Sequence, residues 1–135
     1  MAAARDLGLI PGRAKLILFV FFAPSDCPAC LRESAIWQQG AVEIRNLAVI
    51  GVMDRAEPGA ARFFLGGAGI RFPVLLNPGS ALRNAFGLRL TPEKLLVDRS
   101  GNVILSSPPD RTIADQVDFA RRLRAACGAA EFARP

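Results

Sequence analysis

Residues 16–34 read LILFVFFAPSDCPACLRES, and they place an apolar run directly before two cysteines. The run from Lys15 to Phe22 is almost entirely apolar, which is typical of a strand covered on both faces of its sheet. The segment from Ala23 to Asp26 breaks this run. A helical pattern begins at Pro28, a residue that suits the first position of a helix. The sequence therefore predicts a buried strand, a short loop and a helix, with Cys27 at the helix start.

The position of the two cysteines relative to that helix predicts their chemistry. Cys27 falls where free backbone N–H groups and the helix dipole stabilise an anion. The thiolate is the reactive form of cysteine, and such surroundings lower its pKa from about 8.5 to as little as about 3.5. Residues three apart share one face of a helix, so Cys30 can close a disulfide onto Cys27. We therefore expect Cys27 to attack and Cys30 to resolve.

The rest of the chain predicts an α/β fold in which a mixed central sheet carries helices on both faces. Strands and helices alternate first and a hairpin comes last, a pattern that favours this arrangement over an all-parallel sheet.

The length suits a single domain over residues 1–135 with a core at about 12–126. The predicted elements are a strand over Lys15–Phe22, a helix from Pro28 that ends or kinks at Gly40, a strand over Leu47–Met53, a helix from Pro58 to the glycines at 66–69, a strand over Phe72–Leu76, a helix over Ser80–Phe86, a hairpin with strands Lys94–Val97 and Val103–Ser106, and a helix over Thr112–Cys127 carrying Ile113, Val117, Phe119 and Leu123.

The composition excludes several classes of function. The chain has no histidine, which excludes Ser-His-Asp and Cys-His catalysis and histidine metal sites. Its three cysteines cannot supply the four thiolate ligands of a structural zinc ion within one chain. We expect neither a metal nor a cofactor, because a dithiol itself carries two electrons.

We expect no nucleic-acid partner, although the chain is basic. The net charge is +5, but the basic residues are scattered along the chain, and no aromatic residue is interleaved with the densest cluster, Arg121, Arg122 and Arg124. We interpret this cluster as the solvated C-terminal end of the last helix, where cations are favourable.

Two features of the sequence bear on the cellular compartment. The apolar run Leu16–Ala23 has eight residues, too few to span a bilayer, so we expect no membrane span in this chain. The segment Met1–Ala4 lacks the pattern of a signal peptide. Both a cytosolic protein and the soluble part of an exported protein fit these features.

Three segments in the same order resemble the thioredoxin superfamily, in particular the TlpA/ResA-like branch of bacterial thiol–disulfide oxidoreductases. They are LILFVFFAPSDCPACLRES, FPVLLNPGSALRNAFGLRLTP and LLVDRSGNVI. These segments are similar to the family's active-site strand and helix, its central helix with the cis-proline loop, and its last hairpin. The resemblance covers roughly residues 12–123 and implies a thioredoxin-like fold.

The resemblance also implies roles for particular residues. Cys27 and Cys30 resemble the attacking and resolving cysteines of the family. Glu33 lies three residues after the second cysteine, where this branch often places an acid near the active site, although an ordinary solvated helix glutamate is the alternative. Thr91 and Pro92 resemble the threonine–cis-proline pair that faces the disulfide and holds the substrate backbone.

The partners and location implied by the resemblance are those of a redox enzyme acting on proteins. We expect protein thiol or disulfide substrates, an electron-donor redox protein and a monomeric state. The branch favours a periplasmic protein or an exported domain tethered to a membrane, and a cytoplasmic location is the alternative.

Two features differ from the family pattern. Asp26 stands where the family usually has a tryptophan, and a carboxylate beside Cys27 should oppose formation of the thiolate. Only about a dozen residues precede Leu16. We therefore expect that the hairpin which usually precedes the first core strand is either missing or was cut away.

Two other functions are possible on the same fold. A peroxiredoxin-like thiol peroxidase would place its peroxide-reactive cysteine near Cys30, but the position of the threonine that it needs is occupied by Cys27. A copper-binding module of this fold would use two cysteines and a histidine, and the chain has no histidine.

The remaining sulfur and aromatic side chains are predicted to be structural. Cys127, near the end of the last helix, is interpreted as a buried core cysteine, with a third redox cysteine as the alternative. Trp37 and the phenylalanines are predicted to lie in the core.

Overall fold

The computed structural model describes residues 14–21, 34–53, 57–76, 93–107 and 112–132. Within these ranges the elements are β1 (Leu16–Phe21), α1 (Ser34–Glu43), β2 (Leu47–Met53), α2 (Pro58–Gly67), β3 (Val74–Leu76), β4 (Glu93–Asp98), β5 (Val103–Ser107) and α3 (Ile113–Phe132). The predicted helix over Ser80–Phe86 and the predicted helix start at Pro28 lie outside the described residues.

The five strands form one mixed sheet in the order β3-β2-β1-β4-β5. The strands β1, β2 and β3 run parallel to one another. The strand β4 is antiparallel to β1, and β5 is antiparallel to β4. This arrangement confirms the predicted mixed sheet and makes β1 its central strand.

Burial on both faces explains why β1 and β2 are continuous apolar runs. Every residue of both strands is buried, and alternation sends successive side chains to opposite faces. On the first face, Leu18 and Val20 of β1 pack in one cluster with Trp37 of α1 and Phe119 of α3. A second cluster occupies the other face and contains Ile17, Phe19, Phe21, Ala48, Ile50, Val52, Leu95 and Val97. We refer to these as the first face and the second face.

The helix α1 continues through Gly40 to Glu43, so the alternative that it ends at Gly40 is wrong. Gly40 is buried, and a Cβ atom added there would lie 3.3 Å from Cδ2 of Leu47. The absence of a side chain at Gly40 therefore lets the helix lie close to Leu47, the first residue of β2, and the backbone stays helical.

The helix α2 has the predicted bounds and a carboxylate at its start. Glu57 accepts hydrogen bonds from the backbone N–H groups of Gly59 at 3.0 Å and Ala60 at 2.7 Å. These bonds, the one from Gly59 first, lower the pKa of the Glu57 carboxyl. Pro58 occupies the first helical turn.

Two large apolar side chains on the helices α2 and α3 are exposed, and one of them, Phe63, was predicted to lie in the core. Phe63 of α2 is 87% exposed, and Val117 of α3 is 63% exposed. Phe63 is two residues from the buried Ala61, and Val117 is two residues from the buried Phe119. Two residues correspond to a rotation of about 200° around the helix axis, so each exposed side chain lies on the face opposite the buried one. The prediction that the phenylalanines lie in the core is therefore wrong for Phe63. Its position around the helix axis, and not its apolar side chain, decides its exposure.

The hairpin between β4 and β5 is held by Asp98. One carboxylate oxygen, Oδ1, accepts from the backbone N–H groups of Ser100 and Asn102, each at 2.9 Å. The other, Oδ2, accepts from the Asn102 side-chain amide at 2.9 Å. Gly101 has a φ of 93°, which favours glycine. The turn predicted over residues 98–102 is confirmed.

The closing helix α3 runs to Phe132, beyond the predicted end at Cys127. The alanines at 125, 126, 129 and 130 favour this continuation because alanine has the highest helix propensity. The arginine cluster at 121–124 is therefore within the helix, and its interpretation as a helix end is wrong. Arg121 lies 2.7 Å from Asp118, and Arg124 lies 3.2 Å from Glu43 of α1.

We predict that Thr112→Ala destabilises the fold by about 1 kcal/mol. The Thr112 hydroxyl accepts from the backbone N–H of Asp115 at 3.1 Å, and the Asp115 carboxylate accepts from the backbone N–H of Thr112 at 3.2 Å. This reciprocal pair satisfies two free donors at the start of α3. Urea unfolding measures the loss, and Thr112→Ser, which keeps the hydroxyl, is the control. Equal stability of the alanine variant and the wild type would show that the cap contributes nothing.

Candidate active site

The segments that carry the predicted site residues are attached to strand ends on one side of the sheet, where β1 ends and β4 begins. The parallel strands β1, β2 and β3 end at Phe21, Met53 and Leu76 on the same side, and the antiparallel β4 begins there. Phe21 is the register partner of Glu93. In open α/β sheets, ligands bind at the edge formed by the carboxyl ends of parallel strands. We call this side of the molecule the carboxyl edge.

The five residues predicted to form the site, Cys27, Cys30, Glu33, Thr91 and Pro92, lie outside the described residues. Their roles remain predictions. The structure does describe the ends to which their segments are attached. The segment 22–33 begins after Phe21 and leads into α1, and Pro92 is bonded to Glu93. Cys30 and Thr91 are 61 residues apart in the sequence. Their segments are nevertheless attached to two strand ends that pair with each other, Phe21 of β1 and Glu93 of β4.

The helix α1, which follows the cysteine segment, is fixed on the first face. Its Trp37 is fully buried, and its ring lies edge-on to Phe72 with the centroids 6.4 Å apart. Its Gln38 donates to the carbonyl of Gly69 and accepts from the backbone N–H of Arg71 at 3.1 Å. Both contacts hold the helix against the loop that follows α2.

Lys94 is a buried cation that the sequence analysis missed as a functional candidate. It is the second residue of β4, its exposed fraction is 0%, and its Nζ lies 4.6 Å from the centroid of the Phe119 ring. A lysine in this position is attracted electrostatically by the face of the ring. The period of two could have revealed it, because it places Lys94 on the same face as the core residue Leu96.

Glu93 is a second group at the carboxyl edge that was not singled out. Its Oε2 atom is buried and has no hydrogen-bond partner among the described residues. Alternation along β4 turns its side chain away from the face on which Lys94 lies. Buried polar atoms without a partner are exceptional in native structures, so the Glu93 carboxylate, directly after Pro92, is held in unusual surroundings.

Cys127 is buried in the core, as predicted. It belongs to the cluster of the first face, together with Leu123 and Phe119 of the same helix. Desolvation by burial raises the pKa of its thiol to about 11. Because the thiolate is the nucleophile, this cysteine is essentially unreactive at neutral pH in the folded protein.

In the part of the chain that the structure describes, no helix is long and apolar enough to cross a membrane. Within the same residues, no three histidine, cysteine, aspartate or glutamate side chains are grouped so that they could hold a metal ion.

Comparison with known proteins agrees with this architecture. A family model described as Redoxin matches residues 6–118. The fold is similar to that of a protein from Chlorobium tepidum assigned as the thiol:disulfide interchange protein DsbE, at 24% identity over 86% of this chain and 82% of that one, with a TM-score of 0.74. No curated protein sequence is significantly similar to the chain.

Two further solved structures share the fold. One is a secreted disulfide oxidoreductase of Mycobacterium tuberculosis, homologous to DsbE of E. coli, at 20% identity over 82% of this chain and 81% of that one, with a TM-score of 0.66. The other is an exposed lipoprotein thioredoxin of Streptococcus pneumoniae, at 22% identity over 82% and 86%, with a TM-score of 0.59. These similarities confirm the predicted thioredoxin-like fold.

We predict that the stability advantage of the wild type over Cys127→Ala falls as the pH rises from about 9 to about 11. The ordinary thiol pKa is 9.0 and the folded value is about 11. Unfolding therefore favours release of the proton above pH 9, and the contribution of the buried thiol, complete below that pH, is lost through this window. Urea unfolding at each pH measures the difference, and other groups cancel because both proteins carry them. A constant difference, or alkylation of native Cys127 at pH 7, would contradict this prediction.

Proposed function

The chain belongs to the redoxin family, and from this premise we propose that it exchanges a Cys27–Cys30 dithiol or disulfide with protein substrates. The observation that carries the proposal is the pairing of Phe21 with Glu93. This pairing attaches the Cys-Pro-Ala-Cys segment and the Thr91–Pro92 pair to neighbouring strand ends at the carboxyl edge. A redox pair and a loop that presents substrate need such a juxtaposition.

The proposed reaction transfers two electrons without a cofactor. In the reducing direction, the Cys27 thiolate attacks one sulfur of a substrate disulfide, and the other substrate sulfur leaves as a thiolate. The Cys30 thiolate then attacks the sulfur of Cys27, which releases the second substrate thiol and leaves a Cys27–Cys30 disulfide. A dithiol electron-donor protein reduces this disulfide by the same two exchanges.

The thiolate of Cys27 is the species on which this mechanism depends. Its proposed position at a helix start favours the anion, and Asp26 beside it has the opposite effect. Cys127 takes no part, because its raised pKa and burial keep it protonated. Thr91 and Pro92 are proposed to hold the extended backbone of the substrate next to the sulfurs.

We propose an exported location, either periplasmic or tethered to a membrane, with the protein acting as a monomer. Two of the similar structures support this location, since one is secreted and one is an exposed lipoprotein. Cell fractionation of the native host tests the proposal, and recovery of the protein in the cytoplasm would overturn it.

We predict that Cys27 is the reactive thiol and that Cys30→Ser accumulates mixed disulfides with substrate proteins. Each single variant is alkylated at a series of pH values, and the variant that keeps Cys27 should react faster near pH 7. Cys127→Ala is the control and should react as the wild type does, because the Cys127 thiol is protonated at that pH.

The roles are reversed if the variant that keeps only Cys30 reacts faster, or if Cys27→Ser traps the adducts. Failure of every variant to exchange with disulfides, combined with consumption of peroxide that depends on one cysteine, would replace the proposal by a peroxidase.

We predict that Glu33→Gln changes the pH dependence of disulfide reduction between about pH 5 and 8 without abolishing it. A carboxylate three residues beyond Cys30 can accept the proton that the resolving thiol must lose. Glu43→Gln is a matched control, since Glu43 is an exposed glutamate of the helix α1 and pairs with Arg124. Superimposable profiles for Glu33→Gln and the wild type would make Glu33 an ordinary surface residue.

A further inference from the structure

Glu93 is the only acidic side chain in the described part of the chain with a buried oxygen that lacks a hydrogen-bond partner. The contrast is sharpest within β4, because the Asp98 carboxylate at the other end of this strand accepts three hydrogen bonds. The other acidic side chains that the structure describes also accept at least one hydrogen bond each, and they are Glu43, Glu57, Asp115 and Asp118. Glu93 therefore keeps an acceptor that the described part of the chain does not use.

The strands supply no cation to the face on which Glu93 lies. Lys94 is the only basic residue in the five described strands, and it lies on the first face. Alternation along β4 places Glu93 on the second face, together with Leu95. Its register partner on β1 is Phe21, an apolar residue of the same cluster. Apolar neighbours screen a carboxylate less than water does, so Glu93 attracts a cation more strongly than a fully solvated glutamate would.

Glu93 can be reached by a bound polypeptide. Although its Oε2 atom is buried, the residue as a whole is partly exposed. It is the first residue of β4 and directly follows Pro92, which is proposed to hold the extended backbone of the substrate. Successive residues of an extended chain are about 3.3 Å apart. A long side chain one or two residues from a bound cysteine can therefore reach the carboxylate of the residue that follows Pro92.

We propose that Glu93 binds a basic side chain of the protein substrate, an arginine or lysine next to the cysteine that is exchanged, and so determines which substrates the protein prefers. This inference rests on the proposed function. The N–H groups of the basic side chain supply the hydrogen bond that Oε2 lacks, and hydrogen bonds between charged groups are stronger than neutral ones. A neutral side chain in the same place leaves the carboxylate unpaired, and an acidic one is repelled by it. Glu93 takes no part in the exchange of sulfur bonds.

The experiment measures the second-order rate constant at which the reduced protein reduces each of three synthetic peptides in a single turnover. Each peptide has a disulfide between its two cysteines and carries arginine, glutamine or glutamate on both sides of one of them. The peptide disulfide becomes a dithiol while the protein dithiol becomes the Cys27–Cys30 disulfide, and chromatography separates the peptide products. We expect the arginine peptide to react about tenfold faster than the glutamine peptide, as one hydrogen bond between charged groups implies. The glutamate peptide should be the slowest.

Matched variants and a measurement on the wild type assign this preference to Glu93. Glu93→Gln should react equally fast with the arginine and glutamine peptides. Glu43→Gln and Glu57→Gln remove the same charge elsewhere and should keep the wild-type preference, and glutamine at position 57 can still accept from the backbone N–H groups of Gly59 and Ala60. Each comparison uses two peptides on one variant, so a general loss of activity cancels. The wild-type preference should also persist at about 1 M salt, where the Debye length is only about 3 Å, and this measurement needs no variant to fold.

The outcomes distinguish this inference from the proposed function. A reduced wild type that reduces none of the three peptides overturns the proposed function and the role of Glu93 with it. Equal rate constants for the three peptides, or a preference in Glu93→Gln that matches the wild type, overturn only the role of Glu93. A wild-type preference that disappears at about 1 M salt arises from the long-range field of the protein and not from a contact, and it has the same consequence.

Discussion

The antiparallel pairing of β1 with β4 is the constraint on which the rest of the structure depends. It joins the first half of the chain, where β1, β2 and β3 run parallel, to the final hairpin, and it sets Phe21 opposite Glu93. Since strand register is specified by which face is buried, Leu96 and Lys94 can lie only on the first face, and Leu95 and Val97 only on the second. The carboxyl edge is a consequence of this register.

The core and the candidate site are connected through the same few residues. The first face holds Val20 of the central strand, Trp37 of the helix that follows the cysteines, and Phe119 of the closing helix. Each fully buried side chain of this kind stabilises the fold by about 1.5–3 kcal/mol relative to exposure. The packing that makes the domain stable therefore also fixes the helix leading from the Cys-Pro-Ala-Cys segment. A thiol–disulfide exchange needs this rigidity, because the attacking, resolving and substrate sulfurs must be placed in line.

Much of the fold could be predicted because its signals are local. The strand Leu47–Met53 is a pure apolar run bounded by polar residues, and its predicted limits agree with the structure. The start of α2 at Pro58 and the turn at Asp98–Asn102 depend on residues that fix their own backbone. The errors arose where packing decides. Gly40 continues a helix because it closely approaches Leu47, and Phe63 is exposed because of its angle around α2.

The sequence alone determined the order of the described elements, the buried strand β1, the absence of histidine chemistry and the pair of cysteines after that strand. These properties follow from residue types and spacings within short stretches of chain. The tertiary structure alone decided which strand ends meet, and so which segments are attached to neighbouring strand ends. It also decided that Lys94 is buried against Phe119 and that Cys127 is removed from water. Contacts between residues 25 or more positions apart depend on register and helix packing, which no local pattern of residues specifies.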